Sequence, residues 1–461
     1  MNRMMLSLAL LAALAAAAHA RGVFDHEANF LWEAAEDGGV TVTGYTGEGP
    51  DVWIPPRLGG LEVTGIGDFA FSEEGMGYGF VQASRQFTSV IIPPTVRSIG
   101  VEAFRGSLLS ELTIPPAVVH IGWAAFCSNR IENLHLSYGI KELDNFAFCC
   151  NRLERVCIPA SVIRIGLGVF YDNLLESVSI PDSVTEIGDM DFWINRLTEI
   201  SIGSGVTEIG RAAFAQNLLP SVDIPPGVTR IGPEAFADNE LAAVTLGPLL
   251  TEIGALAFAE NLLTQVEIPS GVIYIGEAAF AWNRLESVEI PPGVTAVREG
   301  TFADNRLSSI IIPDGVTYIG EAAFMDNQLA SATIPDGVTF IGDGAFAANT
   351  LRSIFIPYSV TEIGNAAFAL NPLSSVTIGS DVTIGGPLPY FPSDVFSTSF
   401  AAFYNNAGRI AGTFLYTSGV WSVQFHGQIA ALWDDRAEDR PPGPGFPLAV
   451  FVTDTEKSGT P

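Results

Sequence analysis

Ser221 to Ala242 reads Ser-Val-Asp-Ile-Pro-Pro-Gly-Val-Thr-Arg-Ile-Gly-Pro-Glu-Ala-Phe-Ala-Asp-Asn-Glu-Leu-Ala, a unit of 22 residues that recurs along most of the chain. Its phenylalanine returns every 22 residues, thirteen times from Phe104 to Phe368, and its asparagine returns twelve times from Asn129 to Asn371. A fixed short period of this kind is the sequence signature of a solenoid, in which successive repeats form stacked coils. We therefore expect an elongated, right-handed solenoid of about fourteen coils.

Each repeat contains two short stretches that alternate apolar and polar residues, as half-buried strands do. In the unit above, the first stretch begins at Ser221, a Pro-Pro-Gly turn follows, and Val228 to Ile231 forms the second stretch. The Ala-Phe pair then turns the aromatic ring inward on a tight turn that we predict to be helical. Each asparagine amide is predicted to form hydrogen bonds with backbone groups of its own or the adjacent coil, because backbone groups in a buried turn otherwise lack hydrogen-bond partners.

The repeat pattern Ile-Pro-x-x-Val-Thr-x-Ile-Gly-x-x-Ala-Phe-x-x-Asn-x-Leu resembles the BspA-type leucine-rich repeat of bacterial surface proteins. Gly39 to Gly47 is similar to the segment that opens the repeats in that family. Ala402 to Tyr416, with Gly419 to Trp421, is similar to a small module often appended to them. The resemblance implies a leucine-rich-repeat solenoid of short parallel strands. It also implies a secreted or surface protein that binds host matrix proteins, other cell-surface proteins or partner proteins, with no catalytic residues.

The amino terminus has the pattern of an export signal. Arg3 supplies a positive charge, an apolar stretch rich in Leu and Ala follows, and Ala18-His19-Ala20 matches a cleavage site. The rest of the sequence contains no apolar stretch long enough to form a transmembrane helix. The protein is therefore expected to be exported, whether secreted, periplasmic or on the cell surface.

Composition and period together divide the chain into five segments. The ends of a solenoid differ from its middle because terminal repeats must be capped. The tail is rich in Pro, Gly and charge, which is typical of disorder. The predicted segments are a signal peptide at 1–20, an N-terminal cap at 21–50, the solenoid at 51–385 with an insertion loop at 73–83, a small C-terminal β module at 386–433 that contains a hairpin, and a disordered tail at 434–461.

Charge and motifs argue against several classes of function. The net charge of −29 repels phosphate backbones and anionic lipid, so nucleic acid and electrostatic membrane binding are not expected. The chain has no HExxH, P-loop or Gly-x-Ser-x-Gly motif, and His120 and His135 fall in outward strand positions. We expect no enzymatic activity, no cofactor and a monomer.

The four cysteines lie close together in the sequence. Cys127 and Cys149 occupy the same position in consecutive repeats, and stacked coils lie about 4.8 Å apart, which is within reach of a disulfide. Cys150 and Cys157 form a second candidate pair with less geometric support. The alternatives are free thiols or a metal site, but no histidines at ligand spacing accompany the cysteines, so no metal is expected.

Aromatic and aliphatic residues replace polar ones at outward positions of the later repeats. The outward position of the second strand, elsewhere mostly charged, holds Tyr274, Tyr318 and Phe340. The outward position of the first strand, usually Ser, Thr or Glu, holds Ile311 and Phe355, and Tyr358 follows close by. Exposed aromatic clusters on polar scaffolds are typical interface anchors, so we predict that the partner surface includes residues 307–360. The alternative is that these side chains only pack on one another across coils.

These observations favour an exported, non-enzymatic protein-binding scaffold, adhesin-like in character, that uses solenoid faces to bind partner proteins. Two other interpretations remain open at this point. One is a structural cell-envelope protein without a specific ligand, and the other is an enzyme within the C-terminal module.

Overall fold

The computed structural model describes residues 24–72, 87–385, 400–417 and 420–424. It shows a parallel β-solenoid of about 15 turns with about 22 residues per turn and almost no helix, which confirms the predicted leucine-rich-repeat class of fold. The chain comprises two compact units, Met1–Leu241 (unit 1) and Ala242–Pro461 (unit 2). The predicted signal peptide at 1–20, the insertion loop at 73–83 and the tail at 434–461 lie outside the described residues.

Most turns of the solenoid contain a first strand of mostly three residues and a second strand of two, and the turns around residues 155–157, 265–267 and 287–289 contain only the second strand. In unit 1, equivalent strands of successive turns pair in parallel and in register, as Glu142 does with His120 and with Arg164. The first strands in unit 1 are Ser89–Ile91, Glu111–Thr113, Asn133–His135, Ser177–Ser179, Glu199–Ser201 and Ser221–Asp223. The second strands are Ser98–Ile99, His120–Ile121, Glu142–Leu143, Arg164–Ile165, Glu186–Ile187, Glu208–Ile209 and Arg230–Ile231.

Unit 2 repeats the same two kinds of strand. Its second strands pair in parallel and in register, with Tyr318 between Ala296 and Phe340. The first strands are Ala243–Thr245, Ser309–Ile311, Ser331–Thr333, Ser353–Phe355 and Ser375–Ile378. The second strands are Glu252–Ile253, Tyr274–Ile275, Ala296–Val297, Tyr318–Ile319, Phe340–Ile341, Glu362–Ile363 and Thr383–Ile384.

The turn that carries the phenylalanine is not helical, which corrects the expectation of helical turns. Around Phe126, the Ala125 amide donates to the Gly122 carbonyl at 3.2 Å and the Cys127 amide donates to the Ala124 carbonyl at 3.1 Å. Ala124 has φ 50° and Ser128 has φ 58°. Positive φ values are incompatible with a right-handed helix, so the chain closes each turn through left-handed residues instead.

The phenylalanines form the centre of the core in both units. All thirteen from Phe104 to Phe368 are fully buried. In unit 1 the rings of Phe192 and Phe214 stack with centroids 5.3 Å apart, and those of Phe214 and Phe236 stack at 5.4 Å. The short spacing of stacked coils therefore places each ring against the equivalent ring of the next turn, which buries surface that no single repeat could bury.

The asparagines bond the backbone of two successive turns, as predicted. Asn217 Nδ2 donates to the Phe192 carbonyl of the preceding turn at 2.9 Å and to the Phe214 and Ala215 carbonyls at 3.1 Å. Its Oδ1 accepts from the Leu197 amide at 3.0 Å. The side chain is buried, so these bonds satisfy backbone groups that water does not reach.

The glycine after the second strand allows neighbouring turns to approach closely. A Cβ added to Gly122 would lie 2.8 Å from the backbone carbon of Gly100 in the preceding turn. A side chain at Gly122 would therefore press on the backbone of the preceding turn, although Asp144 and Arg298 occupy the same position in other repeats. This explains why the Ile-Gly pair recurs along the repeats.

The N-terminal strands differ from the repeats. Phe30–Ala34 pairs antiparallel with Val40–Tyr45, which in turn pairs in parallel with Leu61–Ile66. The segment Gly39 to Gly47, noted for its resemblance, therefore contains a strand, and the role of the whole segment 21–50 as a cap stays a prediction. The other elements that precede Ser89–Ile91 are a 3-10 helix at Glu27–Asn29, the strand Asp51–Trp53, which pairs in parallel with Ser89–Ile91, and the strand Arg57–Leu58.

The C-terminal hairpin is present and joins the last repeats of unit 2. Gly412–Thr417 pairs antiparallel with Val420–Gln424, as the sequence indicated. Gly412–Thr417 also pairs antiparallel with the first strand Ser375–Ile378. The α-helix Phe400–Asn406, which the sequence did not reveal, precedes the hairpin. Its Tyr404 hydroxyl donates to the Gly379 carbonyl at 2.7 Å, so both elements contact the end of the repeats.

Candidate functional site

The second strands of unit 2 carry an exposed aromatic pair. Tyr318 and Phe340 are in register on neighbouring strands, and their rings stack with centroids 5.2 Å apart and an angle of 5° between planes. Tyr318 still exposes 43% of its surface, and Phe340 is half-buried. Packing across coils, the alternative raised by the sequence, therefore occurs for this pair but leaves part of it accessible to solvent.

Tyr274 lies on the same kind of strand and has a cationic neighbour. Its backbone is in register with Glu252, and the Arg298 guanidinium lies 4.5 Å from the centroid of its ring. Such a cation–π contact holds the tyrosine ring in place while one edge stays exposed. Ile273, beside it, is 60% exposed and was missed by the sequence reasoning. The signal was available, because Thr is usual at this position of the repeat.

The first strands of unit 2 carry the remaining predicted residues. Ile311 is in register with Thr333 and is 74% exposed, and Phe355 is in register with Thr377 and is 49% exposed. Tyr358, in the turn after Phe355, is 68% exposed. The strands of Ile311 and Phe355 belong to sheets separate from the one that contains Tyr318 and Phe340. Within unit 2 five of the six residues thus lie in two columns of equivalent strands, Tyr358 lies in a turn, and the binding role of all six stays a prediction.

Acidic residues border both columns. In the column of second strands, exposed Glu252 and Glu362 precede and follow the aromatic residues. In the column of first strands, Glu267 and Glu289 occupy the two positions before Ile311 and are exposed. The apolar residues of unit 2 therefore sit within a negatively charged surface.

The turn after the second strand adds further negative charge to unit 2. Glu299, Glu321 and Asp343 occupy the same position in consecutive repeats. Burial, followed by the nearby Glu299 and Asp343 carboxylates, raises the pKa of Glu321. The two like charges add to this shift and indicate a negative local potential, but burial is its larger cause.

Three cysteine sulfurs meet in unit 1. The Sγ atoms of Cys127 and Cys149 are 2.7 Å apart, and those of Cys127, Cys149 and Cys150 all lie within 4.8 Å of one another. Trp123, Phe146 and Tyr171 pack around them. Cys157 is exposed and lies outside this cluster, so Cys150 is placed with the first two cysteines instead of with Cys157. The Cys127–Cys149 disulfide stays a prediction.

The thiols of this cluster differ in acidity. Hydrogen bonds from the Cys149 and Cys150 thiols, aided by Ser128 and Arg105, lower the pKa of Cys127 against the opposing effect of burial. The pKa of Cys149 is raised, chiefly because its thiol is the donor to Cys127. The hydrogen bond to Cys127 also raises the pKa of Cys150, to about 12, so the cluster favours the thiolate form at Cys127.

The two histidines considered as candidate catalytic residues do not share a sheet. His120 is exposed and in register with Glu142, whereas His135 is half-buried and in register with Thr113. They lie on a second strand and a first strand respectively, in separate sheets. Among the described residues, His120 and His135 therefore lie in different columns of strands, and this arrangement does not support a catalytic site made of the two.

Sequence and structure comparisons identify the class of this solenoid. The family model of the BspA type leucine rich repeat region matches residues 77–197, 165–284 and 273–400. The matches together span well over half of the chain, so the protein belongs to the BspA-type leucine-rich-repeat family. The search of curated proteins found no match.

Solved structures of bacterial leucine-rich-repeat proteins are similar in fold. A leucine-rich repeat protein from Bacteroides ovatus ATCC 8483 is 23% identical, with 78% of this chain and 89% of that chain covered and a TM-score of 0.51. A leucine rich cell surface protein from Faecalibacterium prausnitzii A2-165 is 26% identical, with 80% and 91% covered and a TM-score of 0.43. The Bacteroides ovatus structure supports the fold alone. Within the part of the chain that the structure describes, none of the helices has the length and apolar character to cross a membrane.

Proposed function

We propose that this protein is an exported, non-enzymatic, adhesin-like scaffold that binds a partner protein through unit 2. The binding surface comprises Tyr274, Ile311, Tyr318, Phe340, Phe355 and Tyr358, here called the apolar surface. The observation that carries the proposal is the exposure of apolar side chains at strand positions where the repeat elsewhere mostly places polar ones, together with the exposed Tyr358 in the turn after Phe355. Membership of a family of repeat scaffolds supports it, and the signal-like residues 1–20 support export.

Exposed apolar side chains of unit 2 can stabilise a complex when a partner buries them. Ile311 and Tyr358 are each more than two-thirds exposed, so most of their surface is available to a partner. Burying an aliphatic or aromatic side chain stabilises a complex by about 1.5–3 kcal/mol. The stack of Tyr318 on Phe340 holds both rings in place before binding, which reduces the conformational entropy lost on association.

The charge of the surface defines the chemistry of the partner. Glu252, Glu267, Glu289 and Glu362 flank the apolar residues, and the whole chain has a net charge of −29. An acidic partner would be repelled, whereas basic residues around an apolar centre would be attracted and guided to the site. The partner is therefore a protein with an apolar patch bordered by Lys or Arg, of the kind found on matrix or cell-surface proteins.

The direct test is the triple substitution Tyr318→Ser, Phe340→Ser and Phe355→Ser in the full-length protein. Binding is measured against immobilised extracellular-matrix proteins and a surface-protein extract of its own cells, and thermal unfolding is measured in parallel. We expect binding to fall at least tenfold while the solenoid stays folded. Unchanged binding with a lowered melting temperature would show that these residues serve packing alone.

A matched control comes from unit 1. Tyr138 occupies the same position of the repeat as Tyr358 and is also strongly exposed, and Ile163 is half exposed. The double substitution Tyr138→Ser and Ile163→Ser removes a similar apolar area from the other unit. It should leave binding at the level of the unmodified protein. An equal loss in both variants would point to general adhesiveness and would contradict a defined surface.

A further inference from the structure

The cysteine cluster of unit 1 contains three thiols, which is one more than a disulfide needs. Cys127 and Cys149 are buried, with 7% and 4% of their surfaces exposed, whereas Cys150 is only half-buried. Cys149 and Cys150 are adjacent in the sequence and both lie beside Cys127. The arrangement combines a buried pair with a third thiol that solvent can reach.

The sulfur spacing favours a covalent pair over a metal site. Two thiolates bound to one metal ion at about 2.3 Å in a tetrahedral arrangement lie nearly 4 Å apart. The Sγ atoms of Cys127 and Cys149 lie 2.7 Å apart, which is closer to the disulfide length of about 2.05 Å. The two residues also occupy equivalent positions of consecutive turns, where the backbone separation of about 4.8 Å suits a disulfide.

The route by which this disulfide can form depends on which of the three sulfurs an oxidant can reach. Disulfides form by attack of a thiolate on a disulfide sulfur, and an oxidant as large as a peptide disulfide cannot approach a sulfur that is almost wholly buried. Trp123, Phe146 and Tyr171 cover the pair further. Cys150 is the member of the cluster that an oxidant can meet first, and its Sγ is within 4.8 Å of both buried sulfurs.

We propose that Cys127, Cys149 and Cys150 form a thiol–disulfide exchange site in which Cys150 accepts the oxidising equivalent from a small-molecule disulfide and passes it inward to a Cys127–Cys149 disulfide. The Cys150 thiol, which solvent can reach, first loses its proton to water and attacks a disulfide such as glutathione disulfide. A Cys150–glutathione bond forms, the glutathione S–S bond breaks, and one glutathione leaves and takes up a proton.

The next two steps transfer the bond inward. The Cys127 thiolate attacks Cys150 Sγ, forms a Cys127–Cys150 disulfide and releases the second glutathione as a thiol. Cys149 then attacks Cys127 Sγ, forms the Cys127–Cys149 disulfide and returns Cys150 to a thiol. Two protein thiols are oxidised and one glutathione disulfide is reduced to two thiols, so protons and electrons balance. The low pKa of Cys127 supports its role as the internal nucleophile.

The experiment follows oxidation of the reduced full-length protein by glutathione disulfide. Samples are quenched with an alkylating agent and analysed by intact mass and peptide mapping. We expect a transient glutathione adduct on Cys150, followed by a product two hydrogens lighter that contains the Cys127–Cys149 link and an alkylated Cys150. With Cys150→Ser the same link should form at least tenfold more slowly.

One structural comparison and one control variant support this experiment. Ser128 occupies the position equivalent to Cys150 one repeat earlier, with φ 58° against 53°, so serine suits this backbone and Cys150→Ser should fold. Cys157→Ser removes an exposed thiol outside the cluster and should oxidise at the rate of the unmodified protein. The proposal is overturned if Cys150→Ser oxidises as fast as the unmodified protein, if the final link contains Cys150, or if native mass spectrometry shows a metal ion on the three thiols.

Discussion

Replacing one asparagine of the repeat tests whether these amides hold successive turns together. Asn217→Ala removes the amide that donates to the Phe192 carbonyl at 2.9 Å and accepts from the Leu197 amide at 3.0 Å. Both backbone groups belong to the preceding turn, and each would lose this bond in a site that water does not reach. The Phe192 carbonyl still accepts from Asn195 Nδ2 at 3.2 Å, whereas the Leu197 amide loses its acceptor. A buried polar group that loses its partner costs about 1–3 kcal/mol, so we expect the substitution to cost about that much.

The assay compares unfolding in urea, followed by circular dichroism, with hydrogen exchange at the Leu197 amide. Asn217→Ala should lower the free energy of unfolding by this amount and accelerate exchange at Leu197. Asn217→Asp keeps the size of the side chain, but it replaces the donor to three carbonyls with an acceptor and should be at least as destabilising. Glu208→Ala, on an exposed strand position, is the control and should change stability by no more than about 0.5 kcal/mol. If Asn217→Ala and Glu208→Ala unfold alike, the reasoning about this column is refuted.

Other predictions follow from the core of unit 1. Phe214→Ala should cost about 3–5 kcal/mol, because the ring is fully buried between two stacked neighbours; a loss below about 1 kcal/mol in the same urea assay would contradict this packing. Asp191 is wholly buried where the repeat usually has Ala, and burial raises the pKa of its carboxyl. At pH 7 Asp191→Ala should therefore remove the cost of the buried charge, but it also removes the bonds that Asp191 accepts from the Gly188 amide at 2.7 Å and the Val169 amide at 3.3 Å. A group whose pKa is higher in the folded state than in the unfolded state stabilises the fold below its unfolded pKa, and this contribution is lost as the pH rises through its folded pKa. The advantage of Asp191→Ala over the unmodified protein should therefore shrink as the pH falls toward 4. Melting curves of both proteins at pH 4 and pH 7 test this, and an advantage that does not change with pH would refute it. Gly122→Ala should lower the melting temperature strongly, because its Cβ would overlap the backbone of Gly100; an unchanged melting temperature would show that the turns can separate at little cost.

The repeat predicted the environment of periodic residues well, because each recurrence places a side chain in the same surroundings. Phe126 and Asn151 could be assigned to the core and to backbone bonding for this reason, and both assignments are confirmed. The turn conformation was predicted wrongly. Left-handed residues such as Ala124 and Ser128 close the turn, and neither is the glycine that usually signals positive φ.

Non-periodic features were harder to derive. The position of Cys150 beside Cys127 depends on how one turn lies over the next, which spacing along the sequence does not specify. Which exposed side chains touch depends on ring orientation as well as register. The contact between Tyr318 and Phe340 and the Arg298 guanidinium over Tyr274 therefore became visible only in the structure. The helix Phe400–Asn406 lacked a signal because it is short and its sequence contains no charged residue in its first turn.

The measurement that tests the proposed function most directly is photo-crosslinking from single positions of the solenoid. A photoreactive phenylalanine analogue replaces Phe355 in one protein and Ile163 in another, both at exposed sites. Each protein is mixed with matrix proteins and with a surface-protein extract of its own cells, irradiated and analysed by mass spectrometry. The account predicts that one partner with a basic, apolar surface crosslinks from position 355 and not from position 163. Crosslinking of that partner from position 163 with none from position 355 would contradict it.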